Sequence, residues 1–143
     1  MKLKTLKLFF FLALSIIVTS NQSFADGSGV LWGEWDSISK DFKIVLKINL
    51  NDEIEFFKFN GKVVKNPKLS ICNPGTKIYP ALSVSWQEDN GKNLKDYLMY
   101  FVYGHSDLKD HALLKGFIEI DITTNEDKPD KTKRYELNLE SKE

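Results

Sequence analysis

The sequence contains few of the residues that define several protein classes. It has one cysteine, one arginine and two histidines among 143 residues. A single cysteine cannot form a disulfide within the chain, which excludes a disulfide-stapled fold. We therefore predict that Cys72 is a buried or half-buried thiol, with an intermolecular bridge as the alternative. Basic and acidic residues balance at 20 each, so there is no excess of positive charge that would predict nucleic-acid binding.

One long apolar run is present, and it lies near the N-terminus. It covers 8–18, follows three lysines and precedes a polar stretch. This order is typical of a secretory signal peptide, because the run is roughly half the ~20 residues that cross a bilayer. We predict a signal peptide over 1–25, a single mature domain over 26–143, no membrane anchor, and a secreted or periplasmic protein. Without the three lysines, 17 basic and 20 acidic residues remain, a net charge of −3.

Beyond the signal peptide, apolar and polar residues alternate with the period of two that predicts β-strands. The segment 42–48 is the clearest example, because its apolar side chains share one face and its lysines take the other. The dipeptide Asn60-Gly61 predicts a hairpin turn. We predict an all-β fold, a single antiparallel up-and-down barrel of about eight strands. The predicted strands include 42–48, 54–59, 69–72, 82–86, 94–103, 114–122 and 135–139.

No arrangement of side chains predicts catalysis. Ser83 and Ser85 lie on a predicted strand without the turn that exposes a nucleophilic serine. Acidic residues in 53–55 and 119–121 alternate with apolar ones, as the solvent face of a sheet requires. The loop 105–111 holds two histidines and two aspartates, but their spacing matches no established metal-ligand motif. We predict neither enzymatic activity nor a metal or cofactor.

A Gly-x-Trp signature stands in the first predicted strand. Gly33-Glu34-Trp35 resembles the opening signature of calycins, the superfamily of lipocalins, fatty-acid-binding proteins and avidins. The resemblance implies a barrel in which this tryptophan packs at one end under an arginine from the last strand. The one arginine, Arg134, lies in the last predicted strand, and a guanidinium stacks on an indole better than an ammonium does. We expect structural roles for Gly33, Trp35 and Arg134, with Arg134 packed on Trp35.

The segment 79–86 resembles one family of the calycins in particular. Its sequence, Tyr-Pro-Ala-Leu-Ser-Val-Ser-Trp, is similar to the central strand of the avidin and streptavidin family, which ends in a tryptophan of the biotin pocket. A turn and an aromatic-rich strand follow, as in that family. The resemblance covers most of the chain after residue 25 as a pattern, although its motifs are short. It implies a barrel that binds a small molecule, and it allows a homo-oligomer.

The residues that match the avidin pocket differ from those that bind biotin. The family surrounds the ureido oxygen of biotin with hydrogen-bond donors, whereas here Asp41 presents acceptors and Phe59 lacks a hydroxyl. The tryptophan wall keeps Trp86 but otherwise becomes aliphatic. We therefore expect an apolar cavity for a small hydrophobic or biotin-like ligand, without high-affinity binding of biotin itself. The predicted ligand-binding residues are Ser37, Asp41, Phe59, Trp86, Met99 and Ile118.

Two functions from different classes fit these features. The first is an exported barrel that binds a small molecule. The second is a secreted protein-binding module, such as an inhibitor of a foreign hydrolase or an immunity-type protein, with a filled barrel. An open interior cavity would favour the first, and a filled interior with an exposed aromatic patch would favour the second.

Overall fold

The computed structural model describes residues 28–72, 80–105, 111–124 and 130–142, and these residues form an all-β structure as predicted. The predicted signal peptide lies outside the described residues. A short 3-10 helix, Ser28–Leu31, precedes nine strands. No helix in the described ranges is long and apolar enough to cross a membrane. The strands are β1 (Gly33–Ser37), β2 (Ile44–Ile48), β3 (Ile54–Phe59), β4 (Lys62–Val63), β5 (Lys68–Cys72), β6 (Ala81–Asp89), β7 (Leu94–His105), β8 (Ala112–Thr123) and β9 (Lys131–Lys142).

The nine strands form one antiparallel sheet in the order β4-β3-β2-β1-β9-β8-β7-β6-β5. The first and last strands are neighbours, and Trp35 of β1 lies opposite Ser141 of β9. Since every neighbouring pair is antiparallel, β4 and β5 run in the same direction at the two ends of the sheet. Only 64–67 separates them along the chain. Nine strands are found where about eight were predicted, because the segment 62–72 is divided into β4 and β5.

The sheet is curved, and its concave face encloses the hydrophobic core. Phe57 of β3 and Trp86 of β6 lie near opposite ends of the strand order, yet their ring centroids are 5.0 Å apart. A flat sheet would separate these strands by several spacings of about 4.8 Å each. Rows of apolar side chains therefore meet across the interior. One such row runs across β6, β7 and β8 through Val84, Met99 and Ile118, all of them fully buried.

Left-handed backbone conformations mark the places where the sequence predicts turns. Asn60 and Gly61 have φ angles of 50° and 81°, and they join β3 to β4 as a tight hairpin. Asn is tolerated and Gly is favoured in this region because a side chain usually clashes with its own backbone there. Gly33 has a φ of 119°. Its predicted structural role therefore has a physical basis, since β1 begins at a backbone geometry that other residues rarely adopt.

The prediction that Cys72 is buried is wrong, because its side chain is exposed at the end of β5. Along this strand Leu69 and Ile71 are half-buried and Ser70 is exposed. Since side chains alternate between the two faces of a strand, Cys72 has to point the same way as Ser70. The thiol is therefore on the convex, outer face of the sheet.

Candidate functional site

Six aromatic side chains pack together inside one end of the curved sheet. The rings of Trp86 and Tyr97 are stacked, with centroids 4.6 Å apart and planes 2° from parallel. Phe59 lies 5.0 Å from Trp86 and 5.4 Å from Tyr97. Face-to-face and edge-to-face pairs of this kind each add about 0.5–1.5 kcal/mol beyond the area they bury. The members of this aromatic cluster are Phe42, Phe57, Phe59, Trp86, Tyr97 and Tyr135.

Four of the six predicted ligand-binding residues lie in the core. Phe59, Trp86, Met99 and Ile118 belong to one continuous hydrophobic cluster, and Met99 and Ile118 have no exposed surface. The space between Phe59 and Trp86 is closed by direct ring contact. The four side chains therefore pack as a core and do not line the open apolar cavity that we expected from the sequence.

The other two predicted residues, Ser37 and Asp41, do not join this cluster. Ser37 Oγ donates to the carbonyl of Phe42 and accepts from the N–H of Ile44, so it fastens the connection between β1 and β2. Asp41 is exposed on that connection, and its N–H donates to Ser39 Oγ. The expectation that Asp41 belongs to an interior pocket is wrong, because the burial of Phe42 turns its neighbour outward.

The predicted packing of Arg134 on Trp35 is also wrong. Arg134 Cζ lies 4.1 Å from the ring centroid of Phe117, and Arg134 Nη2 lies 2.8 Å from Glu119 Oε2, on the outer face of β8 and β9. Trp35 is buried on the inner face, where its Nε1 donates to the carbonyl of Leu31 at 2.9 Å. The two side chains therefore point to opposite faces of the sheet. Trp35 keeps a structural role as a core residue, whereas Arg134 covers the half-buried ring of Phe117 on the outer face.

The indole N–H of Trp86 is unusual, because it is buried without an acceptor among the described residues. The Trp86 side chain is only 4% exposed, and its Nε1 atom has no hydrogen-bond partner among the described residues. A buried donor without an acceptor costs about 1–3 kcal/mol, and a buried tryptophan N–H usually finds one. Beside it, the hydroxyl of Tyr97 donates to Glu88 Oε2 at 3.0 Å. Burial and this hydrogen bond to Glu88 raise the pKa of Tyr97, so the phenol stays neutral at physiological pH.

An open groove of about 610 Å³ passes beside Trp86 and Tyr97. It arises because the pairing of β5 with β6 begins at Lys68 and Ser85, which leaves the rest of β6 without a neighbour on that side among the described residues. The chain between β4 and β5 forms one wall through Lys65. The volume lies within the range of about 300–1,000 Å³ that is usual for small-molecule sites.

The groove has basic side chains at one end and acidic side chains at the other. Lys65 and Lys68 lie on the β5 side, and Asp96, Glu119 and Asp121 lie on the β7 and β8 side. Glu119 is neutralised by Arg134. Asp96 and Asp121 stand directly opposite each other, and their hydrogen-bond partners among the described residues, Gln87 and Thr132, are uncharged. This pair therefore presents negative charge that no cation of the described residues balances.

These charged residues were not predicted to form a site. The sequence pattern reports the apolar face of each strand, whereas the groove is formed by outward-facing residues and by the interruption between β4 and β5. Asp96 and Asp121 both occupy polar positions of strands that are otherwise rich in apolar residues, and this pattern indicates only a solvent-facing position. Their proximity depends on the register of β7 with β8, which local alternation does not specify.

A second surface feature lies on the outer face of β7. Leu98, Tyr100 and Val102 are 39%, 40% and 39% exposed, and they succeed one another on one face of the strand. The ring of Phe117 lies 5.8 Å from that of Tyr100. We call Leu98, Tyr100 and Val102 the β7 ridge.

The polar loop considered as a metal site lies largely outside the described residues, which include neither Asp107 nor Asp110. No group of three or more histidine, cysteine or acidic side chains that could hold a metal ion is present within the described ranges. Comparison of the chain with protein-family models, with curated proteins and with solved structures gives no match.

Proposed function

We propose that this chain is an exported small-molecule-binding β-barrel whose ligand binds in the groove beside Trp86. The observation that carries the proposal is the unpartnered Nε1 of Trp86 in a residue that lines the groove. A ligand that supplies an acceptor to this atom would remove the energetic cost of a buried, unsatisfied donor. Because Nε1 is buried, the indole or a neighbouring ring has to shift when such a ligand binds.

The geometry of β4 and β5 supports a barrel. The two strands run in the same direction and are separated by 64–67, so we interpret 62–72 as one interrupted strand. Its first part pairs with β3 and its second part with β6. Four extended residues span at most about 14 Å, whereas nine strands laid flat would place the two edges nearly 40 Å apart. This short connection supports an eight-stranded barrel, in which the groove would lie where the interrupted strand changes partner.

The position of the groove also fits ligand binding better than the filled interior does. The aromatic cluster leaves no gap between the stacked rings of Trp86 and Tyr97, which are 4.6 Å apart. A ligand can therefore reach an aromatic surface most directly from the side of the barrel. The resemblance to avidins suggests the same tryptophan as a ligand contact, although the biotin donors are missing.

The proposal is tested with 1-anilinonaphthalene-8-sulfonate, a flat anionic probe that carries acceptor oxygens. We expect the mature chain, residues 26–143, to bind one probe molecule saturably, with a change in tryptophan emission. The variant Trp86→Phe keeps an aromatic ring and removes the N–H. It should bind the probe about tenfold more weakly, which corresponds to the ~1.4 kcal/mol of one hydrogen bond to a buried donor.

The matched control is Trp32→Phe. Trp32 Nε1 already donates to Asp52 Oδ1 at 2.8 Å, and neither residue lines the groove, so this variant should bind the probe like the wild type. Unfolding in urea shows whether both variants remain folded. Equal probe affinity in Trp86→Phe, Trp32→Phe and the wild type would contradict the proposal, as would binding that does not saturate.

The β7 ridge supports a second candidate function, recognition of another protein. Three neighbouring exposed apolar side chains on a sheet face are typical of an interaction surface. Lys115 stands directly opposite Val102, and Lys68 lies in the same row as Leu98. The acidic pair of Asp96 and Asp121 lies beside the Leu98 end. The partner that fits best therefore has an apolar centre, an acidic group that faces Lys115 and a basic group that faces Asp96.

This second function is tested with a photoreactive group placed at Tyr100 and the exported fraction of the same source. A single heterologous adduct that disappears when Leu98→Lys is added would support it. An adduct only with a second copy of the chain, or no adduct, would contradict it.

A further inference from the structure

The charges of the groove are arranged along a line across the strands. In the row that crosses β5, β6, β7 and β8, Lys68 lies opposite Ser85, Ser85 opposite Leu98, and Leu98 opposite Glu119. The unbalanced pair of Asp96 and Asp121 lies in the next row on β7 and β8. Counting strand spacings of about 4.8 Å across the sheet and two residues of about 3.4 Å each along the strands, the Cα atom of Lys68 lies about 12–16 Å from those of Asp96 and Asp121.

The acidic end of the groove favours the binding of a cation. Like charges directly opposite each other in a sheet are destabilising, and Asp96 and Asp121 accept hydrogen bonds only from the neutral side chains of Gln87 and Thr132 among the described residues. A ligand ammonium between the two carboxylates would relieve their repulsion and donate to both.

The basic end of the groove favours the binding of an anion. Lys65 and Lys68 both line the groove, and neither forms an ion pair with another described residue. Leu98 and Ser85 separate this end from the acidic pair, with a small polar side chain and a partly exposed apolar one. A ligand that spans both ends would thus place an apolar or neutral middle section over Leu98.

We propose that the groove binds a zwitterion with about 10 Å between its ammonium and its carboxylate, the length of a tripeptide with free termini. This inference rests on the proposed function, because it names the ligand class of the same groove. The ammonium lies between Asp96 and Asp121, and the carboxylate contacts Lys65 and Lys68. The carboxylate-to-ammonium spacing selects the ligand, since a shorter zwitterion reaches only one end.

The proposal is tested by titration calorimetry at low ionic strength, where the charges are least screened. The probes are the tripeptide Ala-Leu-Ala with free termini, its N-acetylated form and its C-amidated form. Each blocked peptide should bind five- to tenfold more weakly than the free one. A fourth probe, 8-aminooctanoate, has a similar span without peptide groups. It should also bind if the shared chemistry is the zwitterion, and its failure to bind would overturn the zwitterion as the ligand class.

Two double variants test which end of the groove binds which terminus of the peptide. Lys65→Ala with Lys68→Ala should weaken the free and N-acetylated peptides but leave the C-amide unchanged. Asp96→Asn with Asp121→Asn keeps the side-chain shape, and it should weaken the free and C-amidated peptides but leave the N-acetylated one unchanged. Lys62→Ala, on the β3–β4 hairpin, is the control for a general loss of positive charge.

The outcomes separate this inference from the proposed function. Equal affinities for the free and the blocked peptides, or variants that affect all three equally, would overturn the zwitterion proposal. Absence of peptide binding, with naphthalene-sulfonate binding that still depends on Trp86, would overturn it while leaving the proposed function in place. Absence of both would overturn the proposed function itself.

Discussion

Gly116 in β8 is the position where the smallest change should have the largest effect on stability. A Cβ atom there would lie 1.7 Å from the carbonyl oxygen of Tyr100 and 2.9 Å from the Cα of Phe101, both backbone atoms of β7. Real Cβ contacts are essentially never under 3.0 Å, so Gly116→Ala has to push β8 away from β7 by about 1.3 Å. Loss of two ladder hydrogen bonds at about 1 kcal/mol each, with an overpacking cost of about 1–3 kcal/mol, gives a destabilisation of about 3–5 kcal/mol.

The assay is urea unfolding of residues 26–143, followed by tryptophan fluorescence. Gly104→Ala is the matched control on β7, because a Cβ built there meets no described residue within 4 Å other than its chain neighbours, and its φ is not in the left-handed region. That variant should be neutral or slightly more stable, since alanine restricts the unfolded chain. If Gly116→Ala unfolds within about 1 kcal/mol of the wild type, the close approach of β7 and β8 at this point is refuted.

Three further predictions concern titration, reactivity and ligand choice. Burial and the hydrogen bond to Glu88 raise the pKa of Tyr97 above its unfolded value near 10. The contribution of Tyr97 to stability is therefore complete below about pH 10 and is lost as the pH rises further. Tyr97→Phe should reduce the fall in the urea midpoint between pH 8 and pH 11, and an unchanged fall would contradict this. Exposed Cys72 should react with a disulfide reagent in the folded protein at one equivalent, and reaction only after unfolding would show that the thiol is covered. Biotin should bind with micromolar or weaker affinity in calorimetry because the Ser37 hydroxyl is already engaged on both sides; a nanomolar constant would show that other residues supply the donors.

Most of the strands could be predicted because their pattern is local. The predicted strands 94–103 and 114–122 correspond to β7 and β8, which extend the predictions by only a few residues. The last strand was predicted over 135–139 but begins at Lys131. Its first residues have no apolar alternation of their own. They are held in the sheet by pairing with β8, where Lys131 lies opposite Ile122.

The site was harder to predict, because it depends on which face and which register each residue occupies. Arg134 lies in the strand where it was expected, but Tyr135, Leu137 and Leu139 form the inner face of β9. Alternation alone therefore places Arg134 outside, and this signal was available in the sequence. The opposition of Asp96 and Asp121 could not be predicted in this way, since it follows from long-range pairing of β7 with β8.

The pairing of β1 with β9 has a consequence for how the chain folds. The ion pair of Lys142 with Glu34, 3.0 Å long, joins residues 108 positions apart. Contacts so distant in sequence are formed at a large cost in loop entropy, and folds that depend on them form slowly. β1 has only β2 beside it until the last strand has been synthesised. A chain that completes its sheet so late is therefore expected to fold slowly.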